Sequence, residues 1–445
     1  MRRIFGSYAY SAGPRDGCWW DETIAAPTWP EARGDIQAEV AIIGAGYTGL
    51  SAALHLAEAG LDVAVVEAEY PGWGASGRNG GFCCIGGSKL SNAKLAKIYG
   101  ADQAAQFQSA ERAAVDLVAG ILDRFGIDAD THSDGETQIA HSPRAMAALR
   151  AEAARDPEAV LTEPEDLHSQ GFGGAFFGAM TTPYGFGLNP RKYVLGLAAA
   201  AQGAGARLFQ NSPAGRLTRA SDRAGDRASD RTVIALPNGS LSAKTVLICT
   251  NGYSSEDVPR WLAGRYMPAQ STVLVTRPLT DDEVQAQGWT SDQMAYDTRN
   301  LLHYFRLMPD RRFLFGMRGG LLSSPAAEAT ARRRTRADFE AMFPAWRHVD
   351  SPNLWSGMVC LSRNRVPFVG AVPGMPGVFA GLAYHGNGVA MGSYAGRLLA
   401  DLVQGQTPAQ PYPAFMTAPM GRFPFGPARR IVMPPVYAGL KLKDL

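Results

Sequence analysis

EVAIIGAGYTGLSAALHLAEAGLDVAVVE, residues 39–67, is the stretch that decides the fold. An apolar, β-branched run leads directly into the turn GAGYTG, as expected for a buried parallel strand followed by a phosphate-binding turn. Gly44 permits the tight turn, Gly46 allows a pyrophosphate to approach, and Gly49 lets the next helix lie on the strand. A second buried strand ends at Glu67, whose carboxylate can accept both hydroxyls of an adenosine ribose. Together these elements predict a βαβ unit that binds the ADP half of a dinucleotide.

Length, charge and cysteine content narrow the class of protein. The chain has 445 residues, which suggests two domains, and its 43 basic and 41 acidic residues give no basic field for nucleic acid. Five cysteines do not suggest a disulfide framework, and we predict no metal site. No signal peptide is recognisable, and no window approaches the roughly 20 apolar residues that span a bilayer. We therefore expect a soluble, cytoplasmic enzyme without a nucleic-acid partner or a transmembrane segment.

The α/β pattern returns twice more along the chain, and segments of different character separate its three occurrences. This predicts an α/β protein with a discontinuous Rossmann-like nucleotide domain, interleaved with an α+β substrate domain that contains a mixed or antiparallel sheet. The nucleotide domain takes residues 1–98, 189–256 and 354–407, and the substrate domain takes residues 99–188 and 257–353. Residues 408–445 form a proline-rich tail, and the polar run 221–231 is expected to be an exposed hairpin loop.

A second glycine-rich turn, HGNGVA at residues 385–390, opens a helix near the other end of the chain. An ordinary structural turn is the alternative interpretation. Two glycine-led helix starts favour FAD over a nicotinamide cofactor, because the second can face the pyrimidine edge of a flavin, where negative charge accumulates on reduction. A nicotinamide-dependent dehydrogenase would share the first unit but would leave this turn unexplained.

With these motifs the chain resembles the D-amino-acid oxidase superfamily of FAD-dependent amine oxidoreductases, and most closely its gamma-glutamylputrescine oxidoreductase branch. The resemblance covers almost the whole length, and the loop GASGRNGG, residues 74–81, is its most specific motif for the branch. The further motifs are WWDET (19–23), SPA (212–214), TNGY (250–253), WSG (355–357), NRVP (364–367) and RFP (422–424).

The resemblance implies a cofactor site and a set of reacting residues. The implied FAD contacts are Gly44, Gly46, Tyr47, Thr48, Glu67, Ala68, Gly74, Ala75, Ser76, Arg78, Asn79, Gly80, Gly81, Ala214, Thr250, Asn251, Gly252, Gly357, Gly386, Asn387, Gly388, Val389 and Ala390. The candidate catalytic residues are Tyr304, His385 and Asn79, and the candidate substrate residues are Tyr304, Arg306, Arg318 and Tyr253. We expect non-covalent FAD; attachment through Cys360, which some relatives suggest, is the alternative that we do not favour.

The alternation of side chains along a predicted strand supports the choice of Tyr304 and Arg306. On the predicted strand 301–307, alternation places Tyr304 and Arg306 on one face and His303 and Phe305 on the other, so only one pair can face a pocket. We favour Tyr304 and Arg306. The alternative is that this strand belongs to the sheet core and touches no ligand.

The family's chemistry is hydride transfer from the carbon beside an amine nitrogen to the flavin, which gives an imine that water hydrolyses. Relatives that clamp a small amino acid use an arginine and a lysine, and Gly86 and Ala390 stand at these positions here. We therefore expect an amine of the gamma-glutamylated, alkyl or polyamine type, oxidised to an aldehyde, with Arg318, Arg363 or Arg365 meeting a distant carboxylate.

Several alternatives stay open at this point. One is oxidation of a D-amino acid or an N-alkyl amino acid, and another is a non-catalytic flavin-binding protein. The electron acceptor is O2 or another molecule, because Leu314 stands where relatives carry a lysine that assists oxygen reduction. The oligomeric state is also open.

Overall fold

The computed structural model describes residues 1–219 and 230–444. The predicted hairpin loop at 221–231 lies outside the described residues except for its last two. No helix in the described part of the chain is long and apolar enough to cross a membrane.

Eighteen strands and ten α-helices are described. The strands are β1 (Gly34–Ile43), β2 (Val63–Val66), β3 (Phe82–Cys83), β4 (Glu136–Ile139), β5 (Val160–Thr162), β6 (Ala179–Thr182), β7 (Phe186–Gly187), β8 (Arg207–Phe209), β9 (Leu217–Arg219), β10 (Thr232–Leu236), β11 (Gly239–Ile248), β12 (Tyr266–Val275), β13 (Met294–Asp297), β14 (His303–Leu307), β15 (Phe313–Arg318), β16 (Asn353–Ser362), β17 (Phe368–Ala371) and β18 (Val378–Leu382). The helices are α1 (Trp20–Thr23), α2 (Tyr47–Glu58), α3 (Asn92–Tyr99), α4 (Ala101–Arg124), α5 (Pro143–Ala153), α6 (Pro190–Gly203), α7 (Asp281–Gln287), α8 (Pro325–Met342), α9 (Ala390–Val403) and α10 (Met433–Lys443).

The first sheet is the nucleotide-binding one. Its strand order is β17-β18-β11-β1-β2-β8, and β9 and β10 extend it beside β11. Strand β1 pairs in parallel with both β2 and β11, so the carboxyl ends of these three strands meet at one edge. In open α/β sheets this edge is the place where ligands bind. Helices α2, α6 and α9 contribute to one hydrophobic core on this sheet.

The second sheet has the order β16-β12-β15-β14-β13-β4-β6-β5. Among its described strands only β13 and β4 pair in parallel, so the sheet is mixed, as the sequence predicted. Strand β16 pairs along its whole length with β12. The predicted boundary at residue 354 is therefore corrected: Asn353–Ser362 belongs to the second sheet, and the nucleotide sheet resumes only with β17.

An aromatic cluster fills the outer face of the second sheet. Phe305 and Phe315 project from β14 and β15 toward this face, and Phe343 packs against both rings, with centroids 5.3 and 6.2 Å away. Phe343 also lies 4.8 Å from Phe313 and is fully buried. This cluster holds one face of the sheet and leaves the other face for the site.

The C-terminal tail contacts the segment that leads into β12 and, further on, the loop before β14. Arg429, which is completely buried, pairs with Glu256 at 2.7 Å and donates from Nε to the carbonyl oxygen of Tyr266 at 3.0 Å. Further on, the Asp444 carboxylate accepts from the backbone N–H of Asn300 at 2.7 Å. The tail is thus an integral part of the fold.

Truncation of Phe343 should weaken this fold strongly. The Phe343→Ala variant loses a fully buried ring, for which we expect a loss of about 3–5 kcal/mol in the free energy of unfolding, measured by urea denaturation. Phe177→Ala is the matched control, since that ring is 40% exposed. A Phe343 variant as stable as this control would contradict the packing described here.

Candidate functional site

A large cavity lies between the carboxyl edge of the first sheet and the inner face of the second. Most of the residues implied by the resemblance line it. The lining includes Gly44, Gly46, Tyr47, Thr48, Glu67, Ala68, Gly74, Ala75, Ser76, Arg78, Asn79, Gly80, Ala214, Thr250, Asn251, Gly357, Gly386, Asn387, Gly388 and Val389, together with Tyr253, Tyr304 and Arg318. Five implied residues are absent from the lining: Gly81, Gly252, Arg306, His385 and Ala390.

The turn after β1 is shaped for a phosphate. A Cβ at Gly46 would lie 2.8 Å from Ser76 Oγ, and a Cβ at Gly49 would lie 1.9 Å from the carbonyl oxygen of Gly44. The first glycine therefore keeps the cavity open, and the second lets α2 begin directly against the strand. A helix N-terminus presented in this way offers backbone N–H groups to an anion. This cradle fits the pyrophosphate of a dinucleotide.

Glu67 stands at the end of β2, where a ribose is expected. Its Oε2 accepts from the backbone N–H of Ala45 at 2.8 Å, and its Oε1 accepts from Ala68 at 2.8 Å. Burial raises the pKa of the carboxyl, and the backbone N–H groups oppose this rise. The carboxyl is thus held in one orientation and lines the cavity on the side of Ala214.

The loop 72–81 is fixed by its own side chains. Arg78 is 1% exposed, donates from Nη2 to the carbonyl oxygen of Trp73 at 2.7 Å, and lies 4.3 Å over the Trp73 ring. Asn79 donates from Nδ2 to the carbonyl oxygens of Ala75 and Ser76, both at 3.0 Å, and its Oδ1 accepts from Gly81 N–H at 2.7 Å. These contacts use the Asn79 amide within the loop, so it shapes the loop instead of carrying a catalytic group.

His385 does not reach the cavity, which corrects its assignment as a catalytic residue. Its ring is 1% exposed: Nδ1 lies 2.8 Å from the carbonyl oxygen of Gly87, and Nε2 accepts from Ser362 N–H at 3.2 Å. Burial lowers the pKa of the imidazole to about 4, so the ring is neutral. His385 instead anchors the turn that follows it.

Three of the other four absences, those of Gly81, Gly252 and Ala390, are also corrections, and they have simple causes. Ala390 is the first residue of α9 and is packed in the core of the first sheet. Gly81 donates its N–H to Asn79 behind the loop, and Gly252 lies against Met358 and Val359 of β16. All three help to shape the backbone around the cavity without facing it.

Arg306 is the second substantial correction. It shares a sheet face with Tyr304, as alternation predicted, but its guanidinium is completely buried. Nη2 donates to the carbonyl oxygen of Leu188 at 2.7 Å, and Nη1 lies 3.1 Å from His132 Nε2. Another part of the chain therefore covers this side chain, and it has no access to a substrate.

Tyr304 lies on the floor of the cavity. Its hydroxyl is 3.0 Å from Ser271 Oγ, and its ring packs edge-on against Phe82 at 5.4 Å. Residues that pair across strands share a face, so Tyr304 shares this floor with Tyr296 and Gly316.

Sequence reasoning missed several groups in the lining, notably Phe82, Cys84, Lys89, Glu136, Ser271 and Tyr296. Lys89 follows the loop 72–81 closely in the sequence, so this motif could have pointed to it. Its side chain is exposed, and desolvation on the cavity side and then the charge of Arg318 lower the pKa of its amine. Glu136 and Tyr296 lie in short strands with no motif that would have singled them out.

Gly86 bears on the class of substrate, and Cys360 bears on whether the flavin is covalently attached. A Cβ at Gly86 would lie 2.3 Å from Asn387 Nδ2, and the backbone φ of +134° favours glycine at this position, where relatives carry a clamping arginine. Cys360 lines the cavity, and burial raises the pKa of its thiol to about 12. A thiol held in its protonated form is a poor nucleophile, which favours non-covalent FAD.

Loss of the Glu67 charge should weaken cofactor binding. A carboxylate that accepts hydrogen bonds contributes about 1.5–3 kcal/mol, so Glu67→Gln should raise the Kd for FAD about tenfold or more, measured by titrating the apoprotein with FAD. Glu39→Gln, an exposed position on the same β1 strand, is the control and should leave the Kd unchanged. Equal affinities in the two variants would show that Glu67 does not meet the cofactor.

Comparison with known proteins agrees with this geometry. A family model described as DAO, FAD dependent oxidoreductase, matches residues 39–402. The chain is 29% identical over 401 residues to the gamma-glutamylputrescine oxidoreductase of Escherichia coli (strain K12), covering 89% of this chain and 90% of that relative. It is 30% identical over 402 residues to a probable oxidoreductase OrdL of Rhizobium meliloti (strain 1021), covering 87% and 88%.

Solved structures show the same fold. A glycine oxidase from Geobacillus kaustophilus superposes with a TM-score of 0.69 at 20% identity, covering 86% of this chain and 98% of that one. An iminodiacetate oxidase from Chelativorans sp. BNC1 gives 0.69 at 19% identity, covering 86% and 99%. Family match and cavity together lead to one conclusion: the chain belongs to the DAO family of FAD-dependent oxidoreductases, and it is an enzyme that acts on amines or amino acids.

Proposed function

We propose that this enzyme oxidises the C–N bond of an extended amine, of the gamma-glutamylated, alkyl or polyamine type, to an imine that water hydrolyses to an aldehyde. The observation that carries the proposal is that position 86 is a glycine with a φ of +134°, a conformation that favours glycine, so no clamping arginine stands there. A carboxylate on the substrate must then be met elsewhere in the cavity. The similarity to a gamma-glutamylputrescine oxidoreductase supports the same substrate class.

Arg318 and Lys89 are the groups that can meet such a carboxylate. Both line the cavity, and the charge of Arg318 lowers the pKa of Lys89, so the two cations lie near each other. Within residues 1–219 and 230–444, neither forms an ion pair with a carboxylate. Two neighbouring cations without a counter-ion favour an anionic ligand. Arg363 and Arg365 lie outside the cavity lining and are not candidates for this role.

The rest of the cavity suits an amine. Bound FAD supplies the hydride acceptor. Aromatic and aliphatic side chains line the floor, including Phe82, Tyr304 and Leu302. An apolar environment disfavours the ammonium form of an alkyl amine, whose pKa in water is about 10, and so helps it to lose the proton before oxidation. Tyr304, held by Ser271, is well placed to orient the substrate above this floor.

One observation favours the second candidate, oxidation of a D-amino acid or an N-alkyl amino acid. Arg318 Nη2 donates to the carbonyl oxygen of His385 at 3.2 Å, so the guanidinium lies beside the glycine turn. A carboxylate bound there would be close to the cofactor. The two candidate functions therefore differ in the distance between the amine and the carboxylate of the substrate.

Anaerobic mixing with a panel of compounds tests the proposal. Gamma-glutamylated amines and polyamines should bleach the flavin absorbance, and simple α-amino acids should not. If only α-amino acids bleach the flavin, the second candidate function is established. Flavin that none of these compounds bleaches would overturn the proposed substrate class.

Replacement of Arg318 should weaken the binding of amines that carry a carboxylate and have little effect on amines that lack one. A charged hydrogen bond contributes about 1.5–3 kcal/mol, so Arg318→Met should raise the Kd of a gamma-glutamylated amine about tenfold or more, as read from the concentration dependence of anaerobic flavin reduction. The Kd of an amine of the same length without a carboxylate should change less than about twofold. Arg365→Met, exposed and outside the lining, is the control. Equal losses for both amines would exclude Arg318 as the carboxylate site.

A further inference from the structure

Glu136 is a buried carboxyl in the cavity with an unused acceptor. The residue is 3% exposed and lines the cavity from β4. Its Oε1 accepts from the Tyr296 hydroxyl at 3.1 Å. Its Oε2 has no hydrogen-bond partner among the described residues. A buried carboxyl oxygen without a donor is costly, and buried polar groups left in this state commonly serve a ligand.

The surroundings of Glu136 contain no cation to balance an ionised carboxylate. Over the described part of the chain, no lysine, arginine or histidine pairs with it. The groups that face it are the Tyr296 hydroxyl, the thiols of Cys84 and Cys83, and the carboxyl of Glu111 on α4. Burial raises the pKa of Glu136 to about 8, against the opposing effect of Tyr296 and Cys84. The carboxyl is therefore largely neutral until a ligand supplies a positive charge.

Strand register places Glu136 on the same floor as the other polar groups. Met294 pairs with Glu136, Tyr296 with Tyr304, and Ser271 with Arg318, and residues two apart along a strand share a face. Between the strand of Glu136 and that of Arg318 lie β13 and β14, so the two strands are three spacings apart, about 14 Å. The floor therefore carries an acid on one side and a cation on the other.

The acid also lies near the second glycine turn. Asn387 donates from Nδ2 to the carbonyl oxygen of Ile85 at 2.7 Å and to Cys84 Sγ at 3.3 Å. The Cys84 thiol in turn interacts with the Glu136 carboxyl. A nitrogen bound by Glu136 is thus two side chains away from the turn that is expected to face the flavin.

We propose that Glu136, oriented by Tyr296, binds an alkylammonium nitrogen of the substrate. This inference rests on the proposed function, because it assigns the amine end of the same substrate. The free Oε2 accepts a hydrogen bond from the ammonium, and the charge of the ligand compensates that of the carboxylate. The nitrogen is either the one that is oxidised or a second ammonium farther along the chain of a diamine.

The pH dependence of binding follows from the same chemistry. In the empty cavity the carboxyl is largely protonated at pH 7, and only its ionised form attracts a cation. Binding of an ammonium therefore releases a proton, and the apparent Kd should fall as the pH is raised from 7 toward about 8. Tyr296→Phe removes a hydrogen bond that lowers the carboxyl pKa, so it should move this dependence to higher pH.

The Glu136→Gln holoenzyme tests the proposal. We expect the Kd for the amine to rise about tenfold or more, read from anaerobic flavin reduction, with an unchanged flavin content per chain. The matched control is Glu111→Gln, whose carboxyl lies close to Glu136 but does not line the cavity. A Glu136 variant with the Kd of this control would overturn the proposal. If Glu136→Gln does not fold, an unchanged pH dependence in Tyr296→Phe would overturn it instead.

Matched monoamines and diamines identify the nitrogen. An equal loss for both in Glu136→Gln supports contact with the nitrogen that is oxidised, and a loss confined to diamines supports contact with the second one. Calorimetric titration with tert-butylammonium, which has no hydrogen on the carbon beside nitrogen, tests binding without turnover. Binding of this probe that depends on Glu136 supports the proposal even if no amine reduces the flavin, an outcome that would refute the proposed function alone. Binding that is insensitive to Glu136 overturns the proposal.

Discussion

The architecture depends on one close backbone contact, that between the start of α2 and the end of β1. Because position 49 carries no Cβ, α2 begins against the carbonyl oxygen of Gly44, and its N-terminus points into the cavity. Helix α9, more than three hundred residues later in the sequence, packs against the same helix. A Cβ at Gly396 would lie 2.4 Å from the carbonyl oxygen of Thr48, and Ser51 Oγ donates to the carbonyl oxygen of Ser393 at 2.7 Å. This packing explains how segments from distant parts of the chain form one nucleotide domain.

The packing also fixes the distance between the two glycine turns. Thr48 Oγ1 lies 2.8 Å from the Tyr384 hydroxyl, immediately before the second turn. The turn itself is anchored by His385, which is hydrogen-bonded on both ring nitrogens and neutral. A cofactor held at one turn therefore meets the other in a fixed orientation. A rigid arrangement of this kind lets the second sheet present a substrate at a defined position above the cofactor.

The sequence predicted those parts of the molecule that local patterns encode. Strand, turn and helix around Gly44 follow from residues adjacent in the chain, and alternation correctly placed Tyr304 and Arg306 on one face. Whether a residue on that face reaches the cavity depends on what covers it. Leu188, more than a hundred residues away, covers Arg306 and could not have been inferred from periodicity. His385 shows the same limit, because the glycines around it predicted a turn without indicating the direction of its ring.

Glu136 is the clearest case of information that only the fold supplies. It lies in the short strand ETQI, which gives no sign of a site, and it becomes distinctive only beside Tyr296 of β13. The parallel pairing of β13 with β4, the only parallel pair among the described strands of the second sheet, brings them together. On the far side of the same floor, Arg318 of β15 is a cation without a carboxylate partner among the described residues. Under the proposed function, the acid and the cation, on opposite sides of the aromatic residues Tyr296 and Tyr304, bind the ammonium and the carboxylate of one extended ligand. Under the proposed function, a small α-amino acid, whose two charges are separated by a single carbon, is too short to reach both ends of this floor at once.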